Sequence, residues 1–212
     1  LITDNGSLLS LFGLGGLEIV GDLQIEDTFQ LQTLEGLGSL RRIEGDLSIQ
    51  RNGAIPSLSP LRGLAHVGGT LAIVDNPLIE SLTGLEDVAH VGETLRIVNN
   101  PRLRDLQALG PIEALGENLV VTDCPLLTDL TGLNTIRTVG NRTDVRFNDG
   151  LQSLTGLEGL ETIGEDLWIR VNPALRNVEA LAALRMVEGQ VIIEANPVLP
   201  SCQAQALLRS VD

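Results

Sequence analysis

The sequence contains almost no aromatic residues: its 212 residues include one Trp, three Phe and no Tyr. Hydrophobic residues nevertheless make up 43% of the chain, so a core built from it must consist of aliphatic side chains of nearly uniform size. Such a core suits a repetitive structure better than an irregular globule.

Lysine is also absent, since all 14 basic residues are Arg, and with 28 Asp and Glu the formal net charge is −14. A surface this acidic repels nucleic-acid phosphates and anionic lipids, so we expect no nucleic-acid partner. No apolar run approaches the roughly 18 residues of a membrane-spanning helix, so we expect no membrane insertion by this segment. Two Cys exclude a disulfide-rich scaffold.

The chain repeats a unit of 24 residues from end to end, as the ungapped similarity of residues 71–94, 95–118 and 167–190 illustrates. One position of this unit is Asn in seven of nine coils. The nine anchors are Asn5, Thr28, Asn52, Asn76, Asn100, Cys124, Asn148, Asn172 and Asn196. We therefore predict a single repeat domain over residues 1–212, in which residues 200–212 form a C-terminal cap.

Apolar residues recur every three positions within each unit, for example at Leu82, Leu85, Val88 and Val91. This spacing fits neither a helix nor a continuous strand, but it fits a polygonal coil that directs one side chain inward at each corner. The Leu-x-Ile pairs alternate as a short strand does, and stacked coils would bring these strands into parallel register about 4.8 Å apart. The sequence therefore predicts an all-β solenoid of nine coils whose stability depends on contacts between neighbours.

Two motifs carry a resemblance to known families. Leu-Arg-Ile-Val-Asn-Asn at 95–100 resembles the core of leucine-rich repeats. The longer pattern, Asn-Pro-x-Leu-x-[Ser/Asp]-Leu-x-Gly-Leu followed by Val-Gly-Gly-x-Leu-x-Ile, resembles the receptor L domain of the insulin and EGF receptor families and of related bacterial surface proteins. The resemblance implies a single-stranded right-handed parallel β-helix and an extracellular or cell-surface location. Its shared residues are scaffold, so it does not identify a ligand.

The two ends differ from the repeat. After Ser201, a plausible N-cap, the residues Ala204, Leu207, Leu208 and Val211 fall on one face of a short helix that would close the core. The family resemblance implies that Cys202 pairs with a cysteine outside this chain. The first coil begins inside a strand without a cap, which leads us to expect upstream sequence or an end-to-end contact through its apolar face.

The outward residues of the strands are the candidate binding positions, because solenoids bind ligands on the variable positions of their continuous sheet. Near the C-terminal end these residues include the only Trp and two Arg. The candidate set is Asp144, Arg146, Phe147, Trp168, Arg170 and Ile192. Strict alternation would turn Phe147 inward. We predict a recognition patch, anchored by Trp168, for a carboxylate-bearing glycan or a protein loop.

A second interpretation of the same residues involves no ligand. Arg146 and Arg170 could stack on Trp168 and pair with Asp144 and Glu194, which would form a self-satisfied surface. His66 and His90 occupy the same position in successive coils, where they should stack about 5 Å apart. With Glu93 as the nearest third ligand they make a weak metal candidate, because a site needs three or four ligands. We expect no metal and no cofactor.

Three function classes follow. The first is a non-catalytic extracellular or cell-surface recognition module that binds a protein or glycan on the exposed face of its sheet. The second is a structural spacer or adhesin segment of a bacterial envelope protein; the Arg-only composition points to a GC-rich bacterial genome. The third, a β-helix carbohydrate-active enzyme, needs clustered carboxylates, whereas acids such as Asp144 and Glu194 are isolated among Arg and apolar residues. We therefore predict that the protein is not an enzyme.

Overall fold

The computed structural model describes residues 1–210 as a parallel β-solenoid closed by one C-terminal helix, which confirms the predicted fold class. Its largest sheet has nine parallel strands, hence eight turns between the first and the last. These strands are β1 (Ile2–Thr3), β3 (Leu23–Glu26), β5 (Leu47–Gln50), β7 (Leu71–Val74), β9 (Leu95–Val98), β11 (Leu119–Thr122), β13 (Thr143–Arg146), β15 (Leu167–Arg170) and β17 (Val191–Glu194). Residues 24 apart are paired from β3 onward.

A second strand of two residues lies in eight of the coils, and it forms two further parallel sheets of four strands each. One sheet comprises β2 (Ile19–Val20), β4 (Arg42–Ile43), β6 (His66–Val67) and β8 (His90–Val91). The other comprises β10 (Ala114–Leu115), β12 (Thr138–Val139), β14 (Thr162–Ile163) and β16 (Met186–Val187). The sequence did not predict these strands because two residues are too few to reveal an alternating pattern.

Short 3-10 helices occupy Phe12–Leu14, Ser59–Leu61 and Glu179–Ala183. The core runs along the axis and consists of aliphatic side chains and Cys124, and its repeated inward columns are fully or almost fully buried. All four aromatic residues lie outside it: Phe12, Phe29 and Phe147 are exposed and Trp168 is half-buried. Uniform aliphatic columns stack without the irregular volumes that aromatic rings would introduce.

The anchor column forms a buried hydrogen-bond ladder between coils. Asn76 is representative: its Oδ1 accepts the backbone N–H of Asn52 at 3.2 Å. Its Nδ2 donates to the carbonyl of Ile49 at 2.8 Å and to that of Val74 at 2.9 Å. Cys124 interrupts the ladder because a thiol cannot reproduce the amide, and burial raises the pKa of this thiol to about 12.

A second, less continuous ladder joins residues that directly precede neighbouring strands of the large sheet. The Oδ1 of Asp46 accepts the backbone N–H of Thr70 at 2.8 Å, and the Oδ1 of Asp166 accepts that of Gln190 at 2.9 Å. Arg142 occupies the same column and donates its backbone N–H to Asn118 Oδ1 at 3.2 Å. Its own side chain has no acceptor to offer the next coil, so the guanidinium is available for other contacts.

The helix α1 (Ser201–Ser210) lies at the C-terminal end of the core, where Leu207 is buried. The prediction of Ser201 as the N-cap is wrong by one residue: the helix begins at Ser201, and the Pro200 carbonyl accepts the N–H groups of Gln203 and Ala204. Val211, assigned to the apolar face, lies outside the described residues. Cys202 is exposed and, like Cys124, is a free thiol. Within residues 1–210 no helix is long and apolar enough to cross a membrane.

The N-terminal coil exposes large apolar side chains. Leu1 is 80% exposed, and Leu9, Phe12 and Ile19 are also more than half exposed. Ile19 lies in the outward column of Arg42 and His66, so its exposure is not that of an uncovered end. The inward apolar residues of this coil are only partly buried, because β1 is the first of the nine strands.

Asn76→Ala should lower the free energy of unfolding by about 1–3 kcal/mol, because it leaves the buried N–H of Asn52 without its acceptor. Chemical denaturation followed by circular dichroism measures this loss. Asn141→Ala is the matched control, since the Asn141 side chain is half-exposed and makes no hydrogen bond within the described chain. Equal losses in the two variants would contradict a stabilising role of the ladder.

Candidate functional site

The predicted site residues meet on the outward face of the large sheet. Strand pairing places Asp144, Trp168 and Ile192 side by side on β13, β15 and β17. Arg146, Arg170 and Glu194 form the next row. Because these rows are outward positions of paired strands, the surface is a sheet face rather than a cleft.

The Trp168 indole lies among three guanidinium groups. The Arg142 Cζ is 3.8 Å from the ring centroid, and those of Arg146 and Arg170 are each 5.8 Å away. Arg142 directly precedes β13 and Arg146 is its last residue, whereas Trp168 lies on β15. The indole ring is therefore directed from β15 towards β13. Arg142 was not predicted, because it precedes the strand; the signal was an Arg in a column that elsewhere holds Asp, Thr, Asn or Gln.

Asp144 is buried beneath this cluster, with 3% of its surface exposed. Its Oδ2 lies 3.2 Å from the Arg146 Nη2. Burial raises the pKa of the Asp144 carboxyl, and this effect exceeds the opposing one of the nearby guanidinium groups, those of Arg146, Arg142, Arg170 and Arg96. The ionised form of Asp144 is therefore disfavoured by its position in spite of these neighbours.

Unpaired polar atoms concentrate at the same place. Five buried side-chain nitrogen or oxygen atoms of the described chain have no hydrogen-bond partner, and all belong to β13, β15 or the residue preceding β13. Four belong to the outward surface: Arg142 Nε, Asp144 Oδ1, Trp168 Nε1 and Arg170 Nε. The fifth, Thr143 Oγ1, lies in the inward column, where Thr143 pairs with Leu167. Buried polar groups in native proteins are nearly always paired, so this concentration calls for an explanation.

The structure therefore agrees only in part with the interpretation in which the Arg, Trp and acidic side chains satisfy one another without a ligand. Arg146 pairs with Asp144, Arg170 pairs with Glu194, and all three guanidinium groups adjoin the indole. The surface is nevertheless not self-satisfied, because the Nε of Arg170 and the Nε1 of Trp168 remain unpaired. We call Arg142, Asp144, Arg146, Phe147, Trp168, Arg170 and Ile192 the Trp168 patch.

Phe147 departs from the alternation that would have turned it inward. Its φ is 56° and it is 44% exposed, because the residue that follows each strand of the large sheet is left-handed and its side chain turns outward. This column consists of Asp4, Asp27, Arg51, Asp75, Asn99, Asp123, Phe147, Val171 and Ala195. Asp and Asn tolerate this conformation, whereas the last three members are apolar. Phe147 belongs to the Trp168 patch, and Val171 and Ala195 follow β15 and β17 next to it.

His66 and His90 stack as predicted, with ring centroids 4.4 Å apart and planes 10° from parallel. Burial lowers the pKa of His66, and Arg42 and His90 act in the same direction. Glu93 does not complete a metal site: across residues 1–210 no three His, Cys, Asp or Glu side chains are grouped so as to hold a metal ion.

The family model of the receptor L domain matches residues 17–109. This confirms the resemblance over the first half of the repeat array and indicates a ligand-binding module of solenoid fold. No curated protein and no solved structure matches the chain. The Trp168 patch lies beyond the matched residues, so its assignment rests on the geometry of β13, β15 and β17.

Val171→Asn should raise the free energy of unfolding by about 1 kcal/mol, because a β-branched residue is strained at the φ of 51° that Asn adopts readily. Asp123→Val places the same strain at the equivalent position of an earlier coil and should lower stability. Denaturant titration of both variants measures the two changes. Loss of stability in Val171→Asn would show that packing outweighs backbone strain here.

Asp144→Asn should stabilise the protein increasingly as the pH rises. The folded-state pKa of Asp144 lies above its ordinary value of 3.8, so the parent loses stability as the pH rises through the range between the two values and ionisation is forced on the buried carboxyl. Asn carries no such penalty. The difference in Tm, variant minus parent, should therefore become more positive between pH 3.5 and pH 7. Asp149→Asn, at an exposed position, is the control; a constant difference for Asp144→Asn would contradict the assignment.

Proposed function

We propose that this protein is a non-catalytic recognition module that binds a protein ligand on the outward face of its nine-stranded sheet, at the Trp168 patch. The observation that carries the proposal is that four unpaired buried polar atoms, on Arg142, Asp144, Trp168 and Arg170, lie on the same sheet face as the only Trp. A ligand that displaces part of the Arg layer would supply the missing partners, which is one explanation that buried unpaired groups in a native structure call for.

The composition of the patch supports a binding role. Trp and Arg are the residues most enriched among those that dominate interface energies, and an aromatic anchor surrounded by less critical contacts is the usual arrangement. Elsewhere the chain places its aromatic residues only near the N-terminal end, at Phe12 and Phe29. The patch is thus the one place on the sheet face where an aromatic anchor and several cations coincide.

The arrangement of the acids supports the non-catalytic part of the proposal. Acid–base hydrolysis needs two carboxyl groups that face a substrate. Asp144 is buried and paired with Arg146, and Glu194 is paired with Arg170. Neither group is free to serve as the second member of such a pair.

The resemblance to the receptor L domain over residues 17–109 supports an extracellular or cell-surface location, and we extend it to the bacterial envelope on the Arg-only composition. A structural spacer or adhesin segment is the second candidate function. It is favoured by the inward apolar side chains of the N-terminal coil, such as Leu8, Leu14 and Val20, which are only partly buried and would suit end-to-end contact.

Trp168→Ala should weaken ligand binding at least 30-fold while changing the Tm by no more than about 2 °C, because a half-exposed anchor contributes to the complex more than to the fold. Candidate ligands would come from arrays of secreted proteins and of glycans, and their affinities would be measured by biolayer interferometry. Phe29→Ala, which removes an exposed aromatic side chain from a distant coil, is the control.

Two results would contradict the proposal. Ligands bound equally by Trp168→Ala would place the binding surface elsewhere. A large loss of Tm in Trp168→Ala, with no ligand found, would favour the interpretation in which the Arg and Trp side chains only satisfy one another.

A further inference from the structure

We infer that the Trp168 patch selects a protein segment that carries an acidic side chain beside aliphatic ones, and that Arg142 is the residue that determines this selection by pairing with the ligand carboxylate. The inference rests on the proposed function and specifies the chemistry of its ligand.

Arg142 has the longest ion pair of the three guanidinium groups in the patch. Its Nη2 lies 3.4 Å from the Asp166 Oδ2, longer than the roughly 2.7–2.9 Å of a strong charge-assisted hydrogen bond. Its Nε is unpaired. A ligand carboxylate could therefore occupy the Nε and Nη2 edge of Arg142 in the bidentate geometry that guanidinium favours, in place of one long contact.

The charge distribution around Arg142 favours an anion at this point and disfavours one elsewhere. Four Arg surround Asp144 (Arg96, Arg142, Arg146 and Arg170) in a chain whose formal net charge is −14. Arg96 has no ion-pair partner within the described residues. An acidic ligand is thus repelled by most of the surface and attracted by this cluster, which gives orientation as well as selectivity.

Movement of Arg142 would also uncover apolar surface. Its guanidinium covers the Trp168 ring at 3.8 Å, so a shift towards a ligand carboxylate would free that face of the indole. Ile192 on β17 lies directly beside Trp168, and Phe147 of the same patch is exposed. Aliphatic side chains next to the acid would pack on this surface.

This combination favours a protein segment over an acidic glycan. Uronic acids supply the carboxylate but few groups that gain from contact with Ile192 and Phe147, whereas an acidic residue flanked by Leu, Ile or Val supplies both. The face of a regular parallel sheet is also flat, and flat surfaces with aromatic and Arg anchors are typical of protein interfaces.

The experiment uses the whole chain as bait for a phage-displayed library of random heptapeptides. Enriched sequences would be synthesised as capped peptides and titrated against the protein while Trp168 fluorescence is recorded, since the only Trp reports directly on the patch. We expect enrichment of Asp or Glu next to aliphatic residues. Replacing the acid by its amide should weaken binding at least tenfold, and so should Arg142→Gln, with unchanged Tm.

Arg137→Gln is the matched control. Arg137 is exposed and paired with Glu161, and it lies outside the patch, directly before β12. The peptide affinity of this variant should equal that of the parent. Oligogalacturonate is titrated in parallel as the glycan source of carboxylate. Binding of oligogalacturonate in preference to every peptide, or equal binding of a peptide and its amide analogue, would overturn the inference.

The same measurements separate this inference from the proposed function. Peptides that need Trp168 but bind equally to the parent and to Arg142→Gln would leave the recognition patch in place and refute its preference for an acid. Peptides whose binding is unaffected by both Trp168→Ala and Arg142→Gln would contradict the two proposals together.

Discussion

The structure depends on one constraint: each coil completes its hydrogen bonds and buries its apolar face only against the coil above or below it. The anchor Asn residues make this explicit, since Asn76 accepts the N–H of Asn52 and donates to Ile49, both in the preceding coil. A buried amide satisfied across a fixed interval cannot tolerate a shift in register. This requirement keeps the strands of the large sheet paired at intervals of 24 residues from β3 to β17.

Such a scaffold permits single residues to depart from the repeat pattern, because the coils on both sides hold each residue in place. Cys124 interrupts one ladder and Arg142 the other, yet the strands continue in register through both. Val171 is held at a φ of 51° that a β-branched residue adopts only under restraint. The departures at Arg142, Phe147 and Val171 fall together beside Trp168, which is where strained and unpaired groups are expected if the scaffold stabilises a functional surface.

The repeat made the fold predictable from sequence, because residues separated by a fixed number of positions are neighbours in adjacent coils. The anchors, the stacking of His66 on His90 and the row of Asp144, Trp168 and Ile192 all follow from that period. The features that could not be predicted are those that depend on the direction of a single side chain. The outward turn of Phe147 arises from a left-handed residue, and the position of Arg142 over the indole arises from a rotamer that no periodicity specifies.

The same logic explains why the patch lies on the large sheet and not on the two smaller ones. A strand of four residues presents two outward side chains per coil, so three paired strands place six of them on one surface. A strand of two residues presents one, as the single column of His66 and His90 illustrates. Binding surfaces need several side chains with fixed mutual positions, and only the large sheet supplies them. Variation at its outward positions then changes the ligand while the inward columns keep the fold.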